Sequence, residues 1–383
     1  MTCPSCGQDV PAGNFCIRCG SPLAAEAGTA ARSRREFSAA PHEPVRRPAL
    51  ISSIFPQLPR ASMVTFRAAL GFGLVVVMGL AVAKLYPLAL VAAAVLVPLL
   101  TVLYLYDVDV YEDEPLTVVA FTMVWGAAAG VWLGILARAA APSGAEFFLK
   151  STGSRVVAQG VGLPLLGVAL ALAGPLVLLA YRRFNDVLDG ATFGAASAVS
   201  LAGAQVITQA FAFLSQSGVR PNYQIVPWVV RLLELAVAAP VLAAAAVGAA
   251  SAAFWLRFRA PVRDRRALGV VGRPEIAVVA AAGLVVAGSL GQLLLPKFAA
   301  LVVYLVLDAV ALVCLRMVLH LGLLEESAEI EVGPDIVCAN CGHTTPAHSF
   351  CINCGISLLA LPKRPGPAGP AGPAAAPDPG PSR

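Results

Sequence analysis

Between residues 67 and 322 the sequence contains eight apolar stretches, each long enough to cross a lipid bilayer as a helix. They run at about 67–85, 87–106, 116–137, 156–181, 188–214, 228–256, 275–295 and 298–322. Hydrophobic residues make up 58% of the 383-residue chain and charged residues only 13%, whereas a typical soluble domain carries about 25% charged residues. The pattern therefore predicts an all-α, polytopic transmembrane bundle of about eight helices, embedded in a lipid bilayer.

The sequence outside the apolar stretches divides into short units of different composition. The predicted domains are a cysteine-rich unit at 1–22, a basic linker at 23–66, the transmembrane domain at 67–324, an acidic linker at 325–337, a second cysteine-rich unit at 338–358 and a Pro/Gly/Ala tail at 359–383. The basic linker and the tail have compositions typical of disordered segments. Basic patches with interleaved aromatic residues are absent from the sequence, so nucleic acid is not expected as a partner.

Lysine and arginine residues are distributed unevenly between the connecting segments. With the N-terminus inside, the inner side receives the linker arginines, Arg182, Arg183 and the six arginines of 257–273, whereas the outer side receives scattered single cations. The positive-inside rule then predicts a multi-pass protein of the cytoplasmic (inner) membrane with both termini in the cytoplasm. An even number of spans agrees, since both cysteine-rich units then share one reducing compartment. Arg316 and His320, in the last stretch, are expected to extend to the inner interface.

Eight of the nine cysteines form four Cys-x-x-Cys pairs, two near each end of the chain. The pairs are Cys3/Cys6, Cys16/Cys19, Cys338/Cys341 and Cys351/Cys354, and a glycine follows each pair. The two units repeat at an offset of 335 residues, which also aligns Phe15 with Phe350 and Ile17 with Ile352. Two such pairs can complete a tetrahedral four-cysteine site. We predict two structural zinc ions, in sites that leave no coordination position open for catalysis.

Disulfides and a redox dithiol are the alternative interpretations of these cysteines. A cytoplasmic location disfavours disulfides, and a redox motif would place one pair beside a βαβ pattern. His343 and His348 have no counterparts in the first unit, so we expect both to be exposed and outside the metal site. The units resemble the short zinc-ribbon modules at the ends of many bacterial membrane proteins. That resemblance implies a cytoplasmic interaction or stabilising module with a protein partner.

Few strongly polar residues lie within the apolar stretches, and each is a candidate functional residue because burying it in a membrane is costly. The candidates are Asp308, Glu234, Gln205 and Gln209. Arg231 precedes Glu234 by three residues, which favours a helical ion pair near the outer interface. Asp308 could bond a neighbouring helix or line a polar pocket. Gln205 and Gln209 are one helical turn apart and favour contacts between helices.

Two segments of the transmembrane region carry a family resemblance. The acidic stretch from Asp107 to Pro115 precedes a span that contains Trp125-Gly126, and a later stretch runs from Arg183 through Asp189-Gly190 to Ala195. Over about residues 86–256 the chain resembles the PrsW family of intramembrane proteases, with Asp189 and Gly190 in a family-like loop. The resemblance implies a Glu-Glu-x-x-Lys motif on the preceding span, a Glu about fifteen residues after the Asp-Gly pair and a His on a later span.

The catalytic residues that the resemblance implies do not stand at those positions. The preceding span, 163–170, has no acid and no lysine, Gln205 stands where the Glu is implied and Leu242 where the His is implied. Gln and Leu cannot activate a water as a carboxylate and a histidine do. The sequence therefore assigns no catalytic residue, and favours a degenerate, non-enzymatic scaffold or regulator that binds a protein partner through its zinc ribbons. Two alternatives stay open: a transporter or lipid-handling protein, and an active intramembrane protease with relocated catalytic residues.

Overall fold

The computed structural model of this chain describes residues 1–4, 7–23, 64–108, 116–139, 156–184, 186–214, 225–259, 270, 272–327 and 331–358. The helices are α1 Val64–Val82, α2 Tyr86–Val108, α3 Leu116–Ala139, α4 Leu163–Leu178, α5 Val187–Leu214, α6 Ile225–Leu232, α7 Ala239–Phe258, α8 Pro274–Leu294 and α9 Lys297–Ser327. Two short strands, β1 Asp335–Val337 and β2 Thr344–Pro346, pair antiparallel. Most of the predicted linker 23–66, the predicted tail 359–383 and Cys6 lie outside the described residues.

Seven described helical segments are long and apolar enough to cross a membrane. They are Tyr86–Tyr104, Thr117–Ala139, Ala158–Leu178, Val187–Phe211, Trp228–Phe258, Pro274–Leu294 and Lys297–Leu319. Large apolar side chains such as Val279 and Val302 are exposed on their outer faces, where a lipid would cover them. The prediction of a mostly helical, multi-pass membrane protein is therefore confirmed. The predicted first span corresponds to α1, whose described apolar part, Phe66–Val82, is shorter than the other seven.

Two spans contain a π-helical segment, Ala158–Gly162 before α4 and Leu233–Ala238 between α6 and α7. A proline, Pro164 or Pro240, stands two residues after each segment. Proline lacks an N–H group and clashes with the carbonyl four positions earlier, which in both cases belongs to the π-helical segment. The two prolines therefore account for these distortions of the helical ladder, a kind of distortion that is frequent at functional sites.

Helix α5 lies at the centre of the bundle, and 72% of its most apolar stretch is buried. Small residues allow its neighbours to approach closely: a side chain at Gly126 or Gly130 of α3 would overlap the backbone carbonyls of Ser197 and Leu201 in α5. On the α7 side, a Cβ on Gly194 would lie 2.6 Å from the Ser251 Cβ. The fifth apolar stretch therefore faces other helices, and small residues at its contacts are common in membrane bundles.

The last helix, α9, packs against the beginning of α5. A Cβ on Gly322 would lie 2.7 Å from the Val187 side chain, and Leu315 and Leu319 join Val187 in one buried cluster. Arg316 lies on this buried side of α9 and is only 4% exposed. The prediction that Arg316 extends to the interface is therefore wrong, because its helix face is covered by the bundle. The side chain of His320 lies outside the described residues.

Candidate metal centres and an intramembrane cavity

Each Cys-x-x-Cys-Gly sequence forms a tight turn that ends on its glycine. Gly7, Gly20, Gly342 and Gly355 have φ values of 70°, 66°, 72° and 68°. In each turn the glycine N–H donates to the carbonyl of the first cysteine, at 2.8–2.9 Å. A side chain is disfavoured at positive φ, which explains why the same residue type follows every pair. In the three pairs of which both cysteines are described, the turn brings the two sulfur atoms within 4.8 Å of each other.

The sulfur atoms have the separations that a tetrahedral metal site requires. Cys3 and Cys19 Sγ lie 3.7 Å apart, Cys338 and Cys354 Sγ 3.8 Å, and Cys341 and Cys351 Sγ 3.8 Å. Four ligands at a Zn–S distance of ~2.3 Å in tetrahedral geometry have sulfurs ~3.8 Å apart, whereas a disulfide requires ~2.05 Å. Both clusters could therefore hold a metal ion. In the first, Cys3, Cys16 and Cys19 are described and the fourth predicted ligand, Cys6, is not.

Within the second cluster the four thiols have unequal environments. Burial disfavours the thiolate of Cys351, but hydrogen bonds from the backbone N–H groups of Cys354 and Asn353, together with those from the Cys354 and Cys338 thiols, outweigh burial and lower the pKa of Cys351 to about 7. Burial raises the pKa of Cys338 to about 12 in the same cluster. Backbone N–H groups aimed at a sulfur stabilise negative charge there, as in a thiolate site prepared for a cation.

The two cysteine units pair with each other through a reciprocal exchange of backbone hydrogen bonds. Phe15 N–H donates to the Ile352 carbonyl at 3.0 Å, and Phe350 N–H donates to the Ile17 carbonyl at 2.9 Å. Because Phe15 corresponds to Phe350 and Ile17 to Ile352 in the repeat, the pairing has the symmetry of a two-fold dimer within one chain. The sequence repeat did not predict this contact, although it identified the residues that make it.

Side chains close the interface between the units. Ile17 is 1% exposed, and Gly13 lies so close to the Ile352 side chain that a Cβ there would overlap it. His348 is 5% exposed, and its Nδ1 lies 2.9 Å from the Ile17 carbonyl oxygen and 2.7 Å from the Ser349 backbone nitrogen. This nitrogen donates to the Ile17 carbonyl in one tautomer and accepts from the Ser349 N–H in the other. The prediction that His348 is exposed is therefore wrong, because the partner unit covers it. His343 is exposed, as predicted.

Asp189 and Gly190 lie in the first turn of α5 rather than in a loop. The Asp189 carboxylate accepts a hydrogen bond from the Asp186 backbone N–H at 3.1 Å, and the side chain is buried. A carboxylate in the first turn stabilises the helix N-terminus. A Cβ on Gly190 would lie 2.8 Å from the Trp255 ring, so this glycine permits close packing against α7. Both residues thus have structural roles in this fold.

Glu234 and Asp308 are both buried, 1% and 7% exposed. Arg231 Nη1 lies 4.0 Å from Glu234 Oε2, so the predicted ion pair is present at the limit of such a contact. Among the described residues, neither Glu234 carboxylate oxygen accepts a hydrogen bond, and neither does Oδ1 of Asp308. A buried acceptor without a donor is costly and is commonly explained by function, strain or a bound molecule.

A cavity of about 500 Å³ lies inside the bundle and is lined by residues of α3, α4, α5, α6, α7, α8, α9 and the two π-helical segments. The described polar residues that line it are Arg138, Gln159, Gln205, Gln209, Arg231, Ser289, Gln292 and Tyr304. Both predicted glutamines therefore line one site, whereas Glu234 and Asp308 are not among its described lining residues. The second cysteine unit follows the C-terminal end of α9, and Tyr304 lies ~35 Å before that end. The cavity is thus at the far end of the bundle from the cysteine units.

The structure brings together the three positions that the PrsW resemblance singles out. Gln205, Leu242 and the span containing Leu163, Pro164 and Gly167 all line this cavity. Three further helical segments contribute Gln159, Gln292 and Tyr304, which were not predicted from the sequence. Their only signal was that each is an isolated polar side chain near one end of an apolar stretch.

No protein-family model, no curated protein sequence and no solved structure matches this chain. The PrsW resemblance therefore stays a prediction that rests on the residues named above.

Proposed function

We propose that this chain is a non-enzymatic membrane scaffold or regulator that binds a protein partner through its two terminal zinc ribbons. The observation that carries the proposal is the reciprocal pairing of Phe15 with Ile352 and of Phe350 with Ile17. Through this pairing the two ends of the chain form a single polar module attached to an apolar bundle. A module of this kind offers a surface that a partner protein can bind, and such binding requires no catalytic residue.

The metal in both ribbons is zinc in this proposal. Four thiolates complete the tetrahedral shell of zinc and leave no position for a substrate, so the ions have a structural role. Each ribbon buries few apolar side chains. In the first ribbon, the buried apolar side chains beside the cysteines are those of Val10, Ile17 and Leu23. Metal binding would therefore supply much of the folding free energy of each ribbon.

The proposed topology has eight crossings and both termini in the cytoplasm. Pairing of the ribbons supports an even number of crossings, because two polar units in contact must lie on the same side of the membrane. Helix α1 has 19 residues and is ~28 Å long, close to the ~30 Å of a bilayer core. The excess of arginine in segments 182–183 and 257–273 supports the cytoplasmic side for the ribbons.

The absence of catalysis in this proposal follows from the lining of the cavity. If the bundle has a PrsW-like plan, its catalytic groups belong where Gln205, Leu242 and the span at Leu163–Gly167 meet. None of these residues can hold or activate a water in the way a carboxylate or histidine does. The chain would then be a pseudoprotease that keeps the architecture of the family without its chemistry.

Quantitative capture of the tagged full-length chain from membranes tests the scaffold role. The variants are Cys351→Ser/Cys354→Ser, which removes two ligands of the second ribbon, and Cys314→Ser, which changes the exposed cysteine of α9. We expect a defined partner set to be lost from the double variant and retained by Cys314→Ser. A partner set that is the same for all three proteins would refute binding through the ribbons.

Comparison of membrane-protein termini in cells with and without this chain tests the absence of proteolysis. We expect the same set of termini in both. A cleavage product that appears only in the presence of the chain would show an active protease and would overturn the non-enzymatic role.

A further inference from the structure

We propose that the cavity of the bundle binds an anionic amphiphile, with its acyl chain inside and its headgroup at the mouth beside Arg138 and Arg231. This inference goes beyond the scaffold function, which requires no ligand. It rests on the distribution of polar and apolar side chains along the cavity, on the signs of its charges and on its volume.

The cavity is polar at one end and apolar at the other. Gln159 and Gln209 are at the polar end, whereas Ala171 and Ala198 line the same cavity deeper in the bundle. Ala171 follows Gln159 by 12 residues and Ala198 precedes Gln209 by 11, so the apolar end is ~17 Å or more further along these helices. That depth is about half of a bilayer core. The lining therefore matches a molecule with a polar head and an apolar tail.

Among the described residues, the charged side chains that line the cavity are those of Arg138 and Arg231. Arg138 is in the last turn of α3 and is exposed, and the side chain of Arg231 is 43% exposed. A guanidinium has five N–H donors, so one ion pair with Glu234 at 4.0 Å does not exhaust Arg231. Arginine binds phosphate and carboxylate groups with paired hydrogen bonds, which selects an anionic headgroup.

Neutral polar groups add directional contacts between the mouth and the apolar end. Tyr304 and Ser289 are hydrogen-bonded to each other, and both line the cavity together with Gln205. Amide and hydroxyl groups can bond the ester or carboxylate oxygens that join a headgroup to an acyl chain. The cavity volume of about 500 Å³ is within the ~300–1,000 Å³ typical of small-molecule sites.

Native mass spectrometry of the full-length protein tests the proposal. The protein is released from nanodiscs that contain equal parts of phosphatidylglycerol, which is anionic, and phosphatidylcholine, which is zwitterionic. In a second arm, oleate is added to the protein in neutral detergent. Retained phosphatidylglycerol identifies the bilayer as the source of the ligand, and retained oleate without phosphatidylglycerol identifies a free fatty acid. Retention of neither anion, or equal retention of both phospholipids without oleate, would overturn the proposal.

Charge variants connect the ligand to the cavity. We expect Arg138→Gln/Arg231→Gln to weaken retention of the anion about tenfold, since it removes charge-assisted hydrogen bonds. Arg257→Gln is the matched control, because Arg257 is also an exposed arginine in the last turn of a helix but does not line the cavity. Equal losses in the two proteins would mean that any arginine at the membrane surface retains the lipid, which contradicts a site in the cavity.

A second pair of variants tests the tail end without changing charge. Gly167 lines the cavity, and a Cβ there would lie at an ordinary 3.5 Å from Leu133. Gly167→Leu should fill the space and reduce anion retention about tenfold. Gly283→Leu, at a helical glycine with open space around it, should leave retention unchanged. Undiminished retention by a folded Gly167→Leu protein would refute occupation of the cavity, even if the arginine variant failed to fold.

Discussion

The paired cysteine units and the helical bundle obtain their folds by different means. In the units a few residues at fixed spacing determine the backbone: the Cys16 N–H bonds the Ser21 carbonyl at 2.7 Å, and the Cys351 N–H bonds the Ile356 carbonyl at 2.9 Å. These are equivalent positions in the repeat, although Arg18 and Ser21 of the first unit correspond to Asn353 and Ile356 of the second. In the bundle, stability is distributed over many close contacts between small residues, as between α3 and α5. Loss of a single cysteine ligand should therefore destabilise a unit. The bundle should instead be destabilised when a larger side chain fills the space between two helices.

The largest effect is expected for loss of a metal ligand. Cys354→Ser should reduce the metal content from about two ions per chain to about one, because structural zinc sites bind through all four ligands. Metal analysis of the purified protein measures this directly. Cys314→Ser, in the exposed cysteine of α9, should keep both ions. If the Cys354→Ser protein retained two ions, the four-cysteine assignment would be wrong.

A large residue between α3 and α5 should strongly destabilise the bundle. Gly130→Leu would force a side chain into the Leu201 carbonyl, so that the helices must separate, and we expect a cost of about 3 kcal/mol. The midpoint of unfolding in detergent measures it. Gly71→Leu in α1 is the control, because nothing lies within 4 Å of a Cβ at Gly71. Equal midpoints for the two variants would contradict the close approach of these helices.

The smallest of these effects is expected at the interface between the units. His348→Ala removes a buried contact with the Ile17 carbonyl and should weaken the pairing by about 1 kcal/mol. Hydrogen exchange at the Phe15 and Phe350 amides, which bond across the interface, should become about fivefold faster. His343→Ala changes an exposed residue and should leave the exchange rates as they were. Unchanged protection of these amides in His348→Ala would show that His348 does not stabilise the interface.

Different parts of the molecule were predictable from the sequence to different degrees. Apolar length alone identified the spans, and the Cys-x-x-Cys-Gly spacing identified the turns, because each depends on residues close together in the chain. The pairing of the units was not predictable, since Phe15 and Ile352 are brought together by the whole bundle between them. The burial of Arg316 and His348 was missed for the same reason.

The residues that line the cavity were also predictable only where they lie close together in the chain. Gln205 and Gln209 were recognised as a pair on one helix because they are one turn apart. Their neighbours Gln159, Gln292 and Tyr304 belong to other helical segments, and no local pattern connects them. The π-helical segments beside Pro164 and Pro240 also change which side chains face inward, which a regular 3.6-residue period does not anticipate.

Photo-cross-linking in native membranes tests most directly that the two ends of the chain form one paired unit. A photoreactive amino acid in place of Asn14, whose backbone N–H bonds the Ile352 carbonyl at 3.1 Å, should cross-link to peptides of the second unit in the same chain. The same amino acid at exposed Gln8 provides the control and should give few such products. If the residue at position 14 of a metal-loaded protein reacted only with other segments or other proteins, the units would not be paired, and the argument for an even number of crossings would fail.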